Sequence, residues 1–121
     1  MLSDIELVKH FLTRPVAFHR SLVPVSGSIA GAVWLGQLIY WSDGRGKDKN
    51  GWIYKTQEEW ERETCLSAFE QRSVRKVLKN NGVLEEELRG IPARIYYRLN
   101  LLKLAEIVSK PPTNPAVVSC E

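Results

Sequence analysis

Residues 56–100 read TQEEWERETCLSAFEQRSVRKVLKNNGVLEEELRGIPARIYYRLN, and their order of signals decides the fold. Thr56 with Glu59 and Ser67 with Glu70 are two capping boxes eleven residues apart. In each, a hydroxyl and a carboxylate satisfy amides that the first helical turn leaves open. The first helix ends near Glu63, and Thr64-Cys65-Leu66 forms a tight turn. The second helix runs to Asn80-Asn81-Gly82, where Gly82 suits the left-handed position that closes helices. Two alternating stretches follow, Val83–Leu88 and Ala93–Asn100, joined by a turn at Arg89-Gly90-Ile91-Pro92. Helix, turn, helix and hairpin in this order predict a mainly α chain with a small β wing, a winged helix-turn-helix.

Working outward, Trp52–Lys55 reads as a short strand ahead of the first of these helices. Asp43–Gly51 is a charged, glycine-rich loop. Before it, a helix opening at Ser26 or Ser28 and reaching Tyr40 or Ser42 is apolar nearly all round, as a central core helix is. Gly27, Gly31 and Gly36 leave room in it for close packing. Ser3–Leu12 is an amphipathic helix with its own Ser3–Glu6 capping box, stopped before Pro15. Val16–Val25 reads as a short strand or an extended lead-in. Asn100 caps a last helix over Leu101–Val108. The domain is expected to span 1–108, with 109–121, rich in proline, as a loose tail.

The length of 121 residues suits one domain, and 44% hydrophobic with 26% charged residues is the balance of a globular chain. Cys65 and Cys120 form no metal-ligand spacing with His10 and His19 and no disulfide framework, so free thiols, no metal and no cofactor are expected. The longest apolar stretch, Ile29–Trp41, is too short for a membrane span of ~20 residues. No secretory leader is legible, and a cytoplasmic protein without membrane attachment is expected. His10 and His19 lack a nucleophile partner, and Glu58, Glu59 and Glu63 lie on a solvated helix rather than in a pocket. No catalytic residue is expected, and the chain is read as a non-enzyme.

A net charge of +3 permits a polyanionic partner, so the placement of the charges must decide. On the second helix of the pair, Ala68, Gln71, Arg72, Arg75, Lys76 and Lys79 are read as facing away from a buried stripe of Phe69, Val74, Val77 and Leu78. Gln71, Arg75 and Lys79 form one ridge at spacing four, with Arg72 and Lys76 beside it. Such a helix fits the major groove of duplex DNA, where Gln pairs with adenine and Arg with guanine. Lys79, Ser67 and the open amides of the first turn are expected at phosphates. Arg89 and Arg94 flank the wing turn and could straddle a backbone or enter a minor groove. Arg45, Lys47 and Lys49 could add phosphate contacts. A basic helical face by itself is commonly only a solvated face. The capped turn before this helix and the wing after it favour a reader.

Against simple backbone binding stand Glu85-Glu86-Glu87, expected to point away or to pair across strands with Arg94 and Arg98, and the acidic helix 56–63. They motivate the alternative of a winged helix that binds a host or phage protein. The four tryptophans are read mainly as core, and of Tyr96 and Tyr97 one is expected to face inward. A homodimer is expected, built on Ser3–Leu12 or on Leu101–Val108.

Residues 51–88, GWIYKTQEEWERETCLSAFEQRSVRKVLKNNGVLEEEL, together with SIAGAVWLGQLIYWS (28–42) and GIPARIYYRLNLLKL (90–104), resemble winged-helix proteins of bacteriophages, prophages and plasmids. Many of these are replication initiator N-terminal domains. The resemblance covers roughly residues 16–108. It implies DNA binding by the helix 67–81 through Gln71, Arg72, Arg75 and Lys76, in replication initiation or equally in transcriptional regulation.

Overall fold

A computed structural model describes residues 3–44 and 46–110. The tail beyond Lys110, with Cys120, and Arg45 lie outside the described residues. The helices are α1 (Asp4–Phe11), α2 (Leu22–Ser26), α3 (Ile29–Ser42), α4 (Gln57–Thr64), α5 (Ala68–Asn80) and α6 (Leu101–Ser109); the strands are β1 (Ile53–Tyr54), β2 (Leu84–Arg89) and β3 (Arg94–Leu99). The strands form one antiparallel sheet in the order β1-β3-β2. The chain is a winged helix-turn-helix: α4, turn and α5 are followed at once by the β2–β3 hairpin.

All three expected capping boxes form, at Ser3–Glu6, Thr56–Glu59 and Ser67–Glu70. Between α4 and α5 the turn is made by Cys65 in the left-handed conformation, φ 63°, whose N–H donates to Glu61 O. Gly82 closes α5 at φ 81°, and Asn100 caps α6 through Lys103 N.

The segment read as extended differs. Leu22–Ser26 is a short helix, with Leu22, Val25 and Ser26 buried. Pro24 is tolerated there because it stands in the first turn, where no intrahelical N–H is needed. Gly27, at φ 83°, ends this helix, and Ser28 caps α3 through Gly31 N. Ser26 instead points its hydroxyl at Leu22 O and Ser28 O.

The close approach expected at the glycines is met at Gly31. A Cβ there would lie 2.5 Å from Ser26 Cβ and 2.6 Å from its Oγ. Ser26 is buried and held by two hydrogen bonds, so it cannot swing aside. Gly31→Ala is therefore expected to lower stability by about 1 kcal/mol net, overpacking of ~1–3 kcal/mol exceeding the helix-propensity gain of ~1. Urea unfolding measures it, and a variant as stable as wild type would show that α2 yields freely.

The core gathers around α3. Trp34, Leu35 and Leu38 meet Trp60 of α4, Leu78 of α5, Val83, and Ile53 and Tyr97 of the sheet. Trp34 and Trp60 stack at 4.4 Å between ring centroids, and Tyr97 meets both edge-on at 5.8 and 5.5 Å. Asn81 ties the end of α5 to α2, its Nδ2 donating to Val25 O at 2.8 Å. By contrast α1 buries no residue at all. No helix among the described residues is long and apolar enough to cross a membrane.

Candidate nucleic-acid interface

The inward stripe of α5 is Gln71, Val74 and Leu78. Phe69, expected inside, is 71% exposed, and Val77 is 42% exposed. Gln71, expected on the outward ridge, is 4% exposed. The reason is backbone accounting. The helix-turn-helix bend leaves the buried carbonyl of Leu66 facing α5, and Gln71 Nε2 donates to it at 3.0 Å and reaches the carbonyl of Gln57, at the start of α4, at 3.3 Å. A buried carbonyl needs a donor, which an apolar side chain at 71 could not provide. Leu66 takes the apolar place beside the turn and is buried.

The rest of the ridge at spacing four is largely engaged. Arg75 donates to Tyr97 Oη at 3.1 Å and lies 3.4 Å from Glu86. Lys79 pairs with the same carboxylate at 3.0 Å. Burial pushes the Tyr97 phenol above its ordinary pKa, against the neighbouring Arg75 charge. What remains outward on α5 besides Lys79 is Phe69, Glu70, Arg72, Ser73, Lys76, Val77 and Asn80, with Ser67 at its exposed N-terminus and Ala68 half-buried. Among the described residues, Arg72 and Lys76 take part in no ion pair.

Strand alternation splits the acidic run of the wing. Glu85 stands opposite Arg98 in the register and pairs with it at 2.9 Å, as expected. Glu86 lies on the other face, turned towards α5, and Glu87 pairs with Arg89 at 3.3 Å. Arg94 pairs with no carboxylate among the described residues; its guanidinium lies over the Tyr54 ring at 5.4 Å. Arg89, expected to reach a backbone, is folded onto the outer face of the sheet. It lies over Tyr96 at 4.4 Å and Trp52 at 5.2 Å, and pairs with Asp48 at 3.5 Å. Asp48 is held below the ordinary carboxylate range by N–H donors, Trp52 first, then Asn50, and by Arg89. The glycine-rich loop is thus a strap on the sheet, with Lys47 and Lys49 exposed at its edge. Tyr97 is the inward tyrosine, while Tyr96 packs on Tyr54 at 5.3 Å.

Sequence reasoning did not find the cleft between α5 and the start of β3. It has a volume of about 230 Å³ and is bounded by Tyr54–Gln57, by Ala68, Gln71, Arg72 and Arg75 of α5, and by Ala93–Ile95 and Tyr97. Four of these residues are cationic and none is acidic. The four come from β1's end, α5 and β3, so no linear spacing announces them.

A scan against family models finds no match, and a search of curated proteins finds none. Among solved structures the chain is similar to one described as "N-Terminal domain of DNA binding protein". The TM-score is 0.51 at 14% identity, over 99% of this chain and 90% of that one. At that identity the likeness concerns the fold.

Proposed function

We propose that this chain is a duplex-DNA-binding winged helix in which α5 enters the major groove with Arg72, Ser73 and Lys76 leading. The observation that carries the reading is the exposure of Arg72 and Lys76 on one face of the second helix, neither held by an ion pair among the described residues. Arg72 is assigned to a base edge, Lys76 to a base or a phosphate, and Ser67 to a phosphate at the start of the helix. Gln71 is reassigned from base reading to holding the turn. The reading is one of docking without chemistry. The similarity to a DNA-binding protein's domain supports it, and the resemblance of residues 51–88 to phage and plasmid initiators supports a place in replication or transcriptional control of a mobile element. We place the contact of a homodimer on α1, since none of its residues is buried while α6 is anchored by Leu104.

Fluorescence anisotropy on random and selected duplexes between ~50 and ~200 mM salt tests the reading, because released counterions make true binding fall steeply with salt. Arg72→Ala with Lys76→Ala is expected to weaken a selected site about 10- to 100-fold. Equal binding by variant and wild type would remove α5 from the interface. One observation favours the alternative of a protein-binding module: Phe69 on α5 and Leu88 and Ile91 on the wing stand exposed at 71, 68 and 102%. A folded protein that stays off DNA even at low salt would select that alternative.

A further inference from the structure

The cleft between α5 and β3 borders the outward face assigned to the major groove and shares Arg72 with it. We propose that it seats a phosphodiester of one DNA strand, the phosphate between Arg75 and Arg94, beside the base-reading Arg72. This rests on the DNA-binding reading and deepens it.

Charge selects the class of ligand. No carboxylate lines the cleft. Lys55 is neutralised from behind by Glu63, and Arg75 shares the single carboxylate of Glu86 with Lys79. Arg72 and Arg94 have no counter-charge among the described residues, so the cleft keeps a surplus of positive charge. Arg75 Nε is buried without an acceptor, and a guanidinium fork suits the oxygens of a phosphate. Size selects the form. About 230 Å³ falls below the ~300–1,000 Å³ of small-molecule sites, so the cleft suits one link of a polymer better than a whole cofactor.

The test has two arms, each run with wild type and with Arg94→Gln. Arg94 is exposed, so the change leaves the core alone. In the first arm, thymidine 3′,5′-bisphosphate is titrated while the arginine Nε–H resonances are followed by NMR, with thymidine as the phosphate-free control. Wild type is expected to bind with shifts at Arg75 and Arg94, Arg94→Gln about five- to tenfold more weakly, and thymidine not at all. In the second arm, the salt dependence of duplex binding is measured, and Arg94→Gln is expected to reduce its slope by about one counterion. Bisphosphate binding in the cleft without duplex binding would uphold the cleft and overturn the duplex reading. Duplex binding with an unchanged slope, and bisphosphate shifts elsewhere or absent, would overturn the cleft and leave the duplex reading standing. Thymidine binding as well as the bisphosphate would overturn the phosphate assignment.

Discussion

Trp34→Ala is expected to destabilise the protein by about 3–5 kcal/mol, the range for removing a fully buried large aromatic. Trp34 is 0% exposed and lies where three elements meet. It stacks on Trp60 of α4 and takes the edge of Tyr97 from β3. Alanine would leave a void that α3, α4 and the sheet could close only by moving towards one another, and the position of α5 depends on that packing. Total stabilities of domains run to ~5–15 kcal/mol, so much of the margin would go. Trp34→Phe is the informative companion. Trp34 Nε1 is buried without an acceptor among the described residues. Phenylalanine removes that unsatisfied donor together with some volume, so its cost is expected at only about 1 kcal/mol. Chemical denaturation of both variants decides the matter. A Trp34→Ala loss below about 1 kcal/mol would mean that the aromatic cluster is not where the fold is held.

Glu63→Gln is expected to cost about 2–3 kcal/mol, although Glu63 is a surface-helix residue by sequence. Its Oε1 accepts from Gln37 Nε2 at 2.6 Å and from Trp41 Nε1 at 2.8 Å, while Oε2 pairs with Lys55. The Lys55 side chain is 4% exposed, and its ammonium also lies over the Trp41 ring at 4.0 Å. All three groups around Glu63 are donors, so an amide turned either way sets an NH₂ against a donor and leaves the buried ammonium without its counter-charge. Breaking a buried pair costs ~3–5 kcal/mol; the partial exposure of Glu63, 26%, reduces that figure. The loss corresponds to a fall in Tm of about 8–12 °C for a domain of this size. Adding Lys55→Met to Glu63→Gln is expected to recover part of it, since the stranded charge is then gone.

The same residue should be visible in the pH dependence. Burial pushes the Glu63 carboxyl up, but the hydrogen bonds from Lys55, Trp41 and Gln37 and the Lys55 charge outweigh it and hold it below the ordinary glutamate value. The unfolded state therefore takes up a proton at a higher pH than the folded state. The stabilisation is fully present above the unfolded value of about 4.3 and drains away as pH falls through the lower folded value. The gap in stability between wild type and Glu63→Gln should be full at pH 7 and should shrink below about pH 4. A gap of constant size down to pH 3 would show that the charge is not what Glu63 contributes.

The elements were largely legible because their signals are local. A capping box needs only four residues, a closing glycine only one, and a strand declares itself by alternation. Those rules located α1, α3, α4, α5, the wing and α6, and the run AGAVWLGQL marked the core helix without reference to any partner. Among the described helices only α2 was missed: its five residues are too few for a helical periodicity to declare itself.

The site was legible only in part. By itself the sequence determined that a second capped helix rich in cations is followed by a wing. It did not determine which of those cations are available, because that depends on neighbours far away along the chain. Gln71 turned inward because the buried carbonyl of Leu66 in the preceding bend needed a donor, and Phe69, on the opposite side of the helix, was left in solvent. Arg75 and Lys79 were drawn to Glu86, which strand alternation had aimed at α5, and Arg89 was drawn down by the glycine-rich strap. The cleft exists only where β1's end, α5 and β3 converge. Helix starts and stops follow from bonds between residues a few positions apart, so sequence alone determined them. The direction in which a charge or an amide points follows from where the nearest unsatisfied partner lies in space, and only the tertiary structure decided that.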